Sequence, residues 1–341
     1  MRPDVSRARG YAKLCAISVI CMVKFLFGPI NSRRFGRSLG IDLLPAKICS
    51  FDCLYCECGW TTQKTLDRSE LVPTVEVLAE IDEYLSARPD IDVVTFAGNG
   101  EPTLHTGIGR IIAHIKSKHG GRKVCVLTNG TLLGEAAVQK ELALADIVVP
   151  SLDGATRRSF RKICRPVHGL KVEAVIDGIA SFRRGFSGHL LLEIFVVPGF
   201  NDSDDELDAL KEAAEFIGPD AIQLNCLDRP APFSRLRAAT HDELLRICRH
   251  LAPLPVEMVP GREARNHPEA DDPVLVRDFL ECLKSGPTTL NRISLATRMR
   301  ETDIAEMIGR LSGQGLDVEL KGSVVRLISA SRPAPTRNLD L

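Results

Sequence analysis

Four cysteines crowd one short stretch, ICSFDCLYCECG at 48–59. Cys49, Cys53 and Cys56 are spaced C-x3-C-x2-C, and Cys58 follows two positions later. Three chemistries suit thiols set this close. Three thiolates on one loop can anchor a [4Fe–4S] cube and leave one iron without a protein ligand. A structural zinc site wants four ligands, commonly from two separated pairs, and no second cysteine pair follows downstream. Cys58 could serve as the fourth ligand only by crowding one loop; it is read as a neighbour of the site rather than part of it. A disulfide knot is the third option. The total of eleven cysteines is odd, however, and the other seven (15, 21, 125, 164, 226, 248 and 282) lie scattered, mostly in apolar runs. That is the usage of a reduced, cytoplasmic protein with Cys as a small core residue.

Two further stretches carry polar groups suited to a ligand. In GNGEPTLH (98–105), Gly98 and Gly100 flank Asn99 and would let backbone carbonyls come close to a ligand, with the Glu101 carboxylate beside them. Oxygen acceptors in that arrangement suit an ammonium group. In PSLDG (150–154), Ser151 and Asp153 stand two apart on a strand, so both project to one side. That suits the two hydroxyls of a ribose, or else an Asx turn before Gly154. Glu193 lies inside the apolar run LLLEIFVV, where an unpaired carboxylate is expensive; it either faces a cavity or pairs with a buried arginine. Arg33, Arg34 and Arg37 precede the first strand and would bind an anion or form a solvated loop.

These groups need a scaffold that brings them together. Apolar runs at 39–44, 92–98, 123–129, 146–153, 190–197 and 221–227 alternate with helical patterns at 74–87, 107–118, 134–145, 171–184 and 203–217. Near-continuous Val/Ile/Leu runs fit strands buried on both faces. Six successive βα units predict a parallel sheet, either open and doubly wound or a partial barrel. In both, chemistry collects at the C-terminal ends of the strands, and the cysteines, GNGEP and SLD all stand at such ends.

The combination resembles the radical S-adenosylmethionine (SAM) superfamily, whose signature is Cys-x3-Cys-x-aromatic-Cys; Tyr55 takes the aromatic position. GNGEP looks like its glycine–glutamate motif for the methionine amine, and SLD like its ribose motif. More narrowly, FGPINSRRFGRSLGIDLLPAKICSFDCLYCECG with FAGNGEPTLH resembles the radical SAM proteins grouped with wyosine-type tRNA-modifying enzymes. The resemblance covers about residues 25–260 and implies a partial (β/α)6 TIM-like barrel. It implies that Cys49, Cys53 and Cys56 hold the [4Fe–4S] cluster, whose open iron binds SAM. Reduction then releases methionine and a 5′-deoxyadenosyl radical, which takes a hydrogen atom from substrate. Tyr55 would support the adenine, Glu101 the amine, Ser151 and Asp153 the ribose; Asn129 and Glu193 are further candidates. A flavodoxin- or ferredoxin-like electron donor is implied as partner, and the substrate is left open among a tRNA base, a peptide and a small molecule.

The rest of the chain sets limits. Lys+Arg and Asp+Glu both number 44 in 341 residues, so no global basic excess favours a nucleic-acid grip. Residues 1–24 hold a basic stretch and an apolar run too short to span a bilayer, read as an N-terminal extension before a start near Met22. Residues 261–273 read as a linker and 330–341 as a disordered tail. Between them, 274–329 shows three short helices and a hairpin turning at Lys321-Gly322, a small winged-helix-like domain. With eight Lys/Arg against seven Asp/Glu over 274–328 it suits protein contact better than DNA. The alternative function is an iron–sulfur-sensing regulator that uses this module on DNA.

Overall fold

The apolar runs become the strands of one eight-stranded sheet. The computed structural model describes residues 24–87, 90–228, 233, 235–259 and parts of 276–330; the N-terminal extension, the linker and the tail lie outside the described residues, Lys24 and Ala330 excepted. The strands are β1 (Leu26–Ser32), β2 (Gly36–Ile41), β5 (Val93–Phe96), β6 (Lys123–Thr128), β7 (Ile147–Pro150), β8 (His189–Val196), β9 (Ala221–Cys226) and β10 (Val256–Met258), hydrogen-bonded in that order. The run from β2 to β10 is parallel, and β1 pairs antiparallel with β2. A two-stranded ladder of β3 (Ile48–Cys49) and β4 (Gln63–Lys64) brackets the cysteine loop.

The possible strand that the sequence offers at 255–260 forms at 256–258 and makes the parallel run seven strands long. Two elements depart from the sequence reading. The first strand starts at Gly36, not 39, and is preceded by β1, whose Gly-Pro pair and register shift between Phe27 and Ile30 suit an edge strand and hide its periodicity. Helix α4 (Arg157–Ile163) was not foreseen. It is seven residues long and mostly cationic, and Thr156 caps it by accepting from the Ser159 amide.

Period-two alternation explains why the strands look apolar throughout. Val94, Phe96, Val124, Val126, Val148, Leu190, Leu192, Ile222 and Leu224 pack into the main core. That core is completed by helices α1 (Thr74–Ala87), α2 (Ile108–Lys118), α3 (Ala136–Leu142), α5 (Val172–Gly185), α6 (Asp204–Ile217) and α7 (His241–Leu251). On the opposite face Val93, Cys125, Ile147 and Val149 form a second cluster with Phe35, Leu127 and Leu191. Phe35 comes from the β1–β2 turn, so this hairpin folds over the face that the helices leave bare.

The sheet curls strongly. Arg34, in the β1–β2 turn, bonds Glu193 on β8 and Gln223 on β9. From β2 to β8 there are four inter-strand steps, about 19 Å if the sheet were flat, far beyond the reach of one guanidinium. The concave side therefore closes around polar residues at mid-sheet.

The described part of 276–330 has its own apolar cluster, including Phe279, Ile304, Met307, Val318 and Val325. Helix α8 (Glu301–Gly313) precedes a hairpin of β12 (Leu316–Lys321) and β13 (Val324–Ala330), with β11 (Thr288–Thr289) adding a third strand. The turn falls at Gly322, whose φ of 63° explains the glycine. Parts of the two preceding helices expected from the sequence lie outside the described residues.

Candidate active site

The cysteine loop leaves β3 at the C-terminal edge of the sheet and is tied down by backbone bonds. The amides of Asp52 and Leu54 donate to the carbonyls of Cys164 and Ile163 at the end of α4, each at 2.9 Å. Thr62 N donates to Lys47 O at 2.9 Å, and Thr65 N to Cys49 O at 3.1 Å. These ties place four free thiols, Cys49, Cys53, Cys56 and Cys58, in one partly buried pocket.

Two donors aim at the sulfurs. Lys47 Nζ donates to Cys56 Sγ at 2.6 Å and to Gly59 O at 2.6 Å. Asn129 Nδ2 donates to Cys49 Sγ at 3.4 Å and to Ser50 Oγ at 2.8 Å. The Cys58 thiol beside Cys56, with the Lys47 ammonium, draws Cys56 below the ordinary thiol range against its burial. Burial opposes the Lys47 charge, but the neighbouring sulfurs outweigh it and raise its pKa. Cys49 is pushed up by burial and by Glu101. Cys53 is pushed up chiefly by its contact with the Cys164 thiol. Cys164, expected as a scattered core cysteine, is indeed buried, but it stands against a candidate ligand.

The donor set fits a cluster better than a single ion. Among the described residues only Asp82, His114 and His119 bring three ligand atoms within 4.8 Å of one another. The loop cysteines form no such compact group. Three cysteines on one loop can anchor a cubane, and N–H donors on two sulfurs are the kind of bond that tunes its potential.

The glycines of this motif are closely packed. A Cβ on Gly100 would sit 1.8 Å from the Ile48 carbonyl oxygen, and one on Gly98 would sit 2.4 Å from Asp42 Cγ. Gly98 also has φ 137°. The 98–101 turn is thus pressed against the strand that carries Cys49, with Glu101 N bonded to Ile48 O at 3.1 Å. Asn99 Nδ2 donates to Asp42 Oδ2 at 2.7 Å, and the Cys58 thiol donates to Gly98 O at 3.3 Å. Glu101 is 1% exposed. Its Oε1 accepts from Thr103 N at 3.0 Å, Thr103 Oγ1 at 2.5 Å and Thr128 Oγ1 at 2.6 Å, and its Oε2 from Asn129 N at 2.7 Å. Glu101 therefore knits three strand ends together, with Oε2 keeping spare acceptor capacity.

The ribose-type pair separates into two networks. Asp153 is buried; its Oδ2 accepts from the Tyr55 hydroxyl, and its Oδ1 from Phe195 N at 2.8 Å. Burial pushes its carboxyl up to about 7 against these bonds. The Tyr55 ring stacks on Phe195 with centroids 3.9 Å apart. Ser151 instead donates to Glu193 Oε1 at 3.4 Å. Glu193 also pairs with Arg34 and accepts from Asn225 Nδ2 at 3.2 Å, so the buried-arginine alternative describes its contacts. Arg33 donates to Asn225 Oδ1 at 3.1 Å. Arg37 points elsewhere, to Asp90 at 2.6 Å.

Sequence reasoning missed Lys47, Asp42, Thr128 and Cys164. Asp42 and Thr128 stand at strand ends, the position where functional residues were sought; Lys47 and Cys164 carry no local signal.

Comparisons with known proteins agree with this geometry. The model described as "Radical SAM superfamily" matches residues 43–210. A UPF0026 protein of Synechocystis sp. is 38% identical over 211 residues, covering 62% of this chain and 78% of its own. A Brachyspira hyodysenteriae protein named GTPase Obg is 31% identical over 293 residues, 86% of this chain; the chain spans only 43% of that relative. Among solved structures, a radical SAM methyltransferase from Sphaerobacter thermophilus superposes with TM-score 0.50 at 16% identity, over 65% of each chain; at that identity the likeness speaks for the fold. No described helix is long and apolar enough to cross a membrane. With its thiols, its strand-end loops and 38% identity to a UPF0026 protein, the chain belongs to the UPF0026 proteins within the radical SAM superfamily, enzymes that use a [4Fe–4S] cluster and SAM.

Proposed function

We propose that this chain cleaves SAM reductively and uses the resulting radical to take a hydrogen atom from a substrate held on the concave side of the sheet. The observation that carries the reading is the trio Cys49, Cys53 and Cys56, free and on one loop at C-x3-C-x2-C spacing. When bound, the cluster and SAM supply the electron transfer and the carbon-centred radical.

The protein's own part is binding, orientation and exclusion of water. The three cysteines hold the cluster, while Lys47 and Asn129 donate to sulfur. The 98–101 turn presents Gly98 and Asn99 beside the loop, and the spare capacity of Glu101 Oε2 faces the Asn129 end, where an amine would add a donor. Tyr55, backed by Phe195 and fixed by Asp153, offers a rigid ring next to the cysteines for the adenine. Ser151, with Glu193 behind it, offers a hydroxyl to the ribose. A flavodoxin- or ferredoxin-like protein delivers the electron. The 274–329 segment is a winged-helix-like accessory module. The regulator alternative has no specific observation in its favour, since α8 carries one base, Arg310, against Glu301, Asp303 and Glu306.

The test is anaerobic reconstitution with iron and sulfide, reduction with dithionite, and chromatographic detection of 5′-deoxyadenosine. The native chain should form it and Cys53→Ala should not. A native chain that binds zinc, shows no brown absorbance and leaves SAM intact would refute the proposal.

A further inference from the structure

The neutral total hides one strongly polarised segment. Residues 157–171, RRSFRKICRPVHGLK, contain six Lys/Arg and no Asp or Glu. Arg157, Arg158, Arg161 and Lys162 are all exposed on α4. Beside α4 lies a cavity of about 830 Å³, lined by Lys64, Arg157, Arg161, Arg165, His168 and Lys171 among others, with Glu173 its single acid. Among the described residues Arg157, Arg161 and Lys171 have no acidic partner, so their charge is directed outward rather than spent within the fold.

One wall residue of this cavity, Arg165, reaches the cysteine loop. Lys64 Nζ donates to Arg165 O at 2.9 Å. Arg165 Nη2 pairs with Asp52 of the loop at 3.0 Å, and its guanidinium lies 5.0 Å from the Trp60 ring centroid. Arg165 holds φ 49°, which an L residue rarely adopts, and its Nη1 is buried without an acceptor. Trp60, which packs edge-on to Phe233, is nonetheless 48% exposed. Arg157 and Arg161 stand one turn apart, a rise of about 6 Å, and Lys64, Arg165 and Lys171 line the same cavity. Several cations spread over one cavity, with an exposed indole against Arg165, match a phosphodiester strand whose bases can stack rather than a lone phosphate.

We infer that the α4 face and the cavity beside it bind the backbone of a single-stranded nucleic acid and lead it toward the cysteine loop, which names the substrate class of the proposed radical site and rests on that reading for its purpose. The test is fluorescence anisotropy of the reconstituted full chain with fluorescein-labelled single-stranded RNA, and with DNA of the same sequence, across a salt series without SAM or reductant. The variant Arg157→Gln/Arg161→Gln/Lys171→Gln should weaken binding and flatten the slope of log affinity against log salt by about 2, at roughly 0.7 per phosphate contact. Trp60→Ala should weaken binding at every salt with the slope unchanged. Arg246→Gln/Arg249→Gln, on α7, should leave both unchanged. Tighter binding of RNA assigns recognition of the 2′-hydroxyl, and equal binding assigns the backbone alone; both support the inference. It is overturned if the triple variant, with native melting temperature and iron content, keeps the wild-type slope, or if the α7 variant loses as much. Failure of the native chain to form 5′-deoxyadenosine would sink the proposed function and leave this binding result standing.

Discussion

Arg34 and Glu193 form an ion pair across the concave side of the sheet, joining the first hairpin to a strand four inter-strand steps away. Their side chains are 15% and 13% exposed, and Glu193 also takes bonds from Ser151 and Asn225. Both charges are thus desolvated and both are answered. Removing one partner leaves the other uncompensated, whereas replacing both need not be costly. Glu193→Ala should lower stability by about 3–5 kcal/mol, and Arg34→Met/Glu193→Leu should recover most of it. Urea unfolding of the single and double variants measures this; equal losses in both would show that the pair is not what closes the sheet.

Cys58 donates to the Gly98 carbonyl and contacts Cys56, and it stands outside the C-x3-C-x2-C spacing. After reconstitution Cys58→Ala should retain the wild-type iron content, and Cys53→Ala should lose it. Iron and sulfide analysis decides the matter, and loss of iron in Cys58→Ala would make Cys58 a ligand.

Lys47 places an ammonium 2.6 Å from Cys56 Sγ. Hydrogen bonds and positive charge at a ligand sulfur make an iron–sulfur cluster easier to reduce. Lys47→Met should therefore shift the midpoint potential negative in an EPR-monitored titration, and Lys47→Arg should restore part of the shift. If Lys47 only braces the loop, iron content falls in Lys47→Met while the potential of the remaining cluster stays put.

A clasp between α1 and α2 makes stability pH-dependent far from the site. Asp82 Oδ1 accepts from His114 at 2.8 Å and His119 at 2.7 Å, and Oδ2 from Lys118 at 2.6 Å. Burial raises the Asp82 pKa, but these bonds outweigh it and hold the carboxyl below its ordinary value. A depressed folded-state pKa means the unfolded chain binds the proton first on acidification. The contribution is complete above the unfolded pKa of about 4 and is lost as pH falls from there through the folded value. Asp82→Asn should melt lower than wild type at neutral pH, and the gap should narrow below about pH 4. A gap independent of pH would count against the clasp.

Much of the site could be read without coordinates because its chemistry is local in sequence. The C-x3-C-x2-C spacing, the 98–101 turn and Ser151/Asp153 each lie within a few residues at a strand end, and the periodicity showed where strands end. Contacts of long sequence separation were not legible. Nothing near Glu193 announces Arg34, 159 residues away, and nothing near Gly100 announces the Ile48 carbonyl packed against it. Zero net charge argued against a nucleic-acid grip because a total averages out the basic run 157–171, which stands in the sequence itself; folding set that run beside the cysteine loop.

Residue order alone carried the cofactor class and the parallel scaffold, since ligand spacing and burial period are properties of a few neighbouring residues. Folding alone decided which donors face the sulfurs, which carboxylates are already committed, and what the basic run 157–171 lies against. Those depend on curling the sheet until its first hairpin meets its eighth strand, and no short window of sequence contains that.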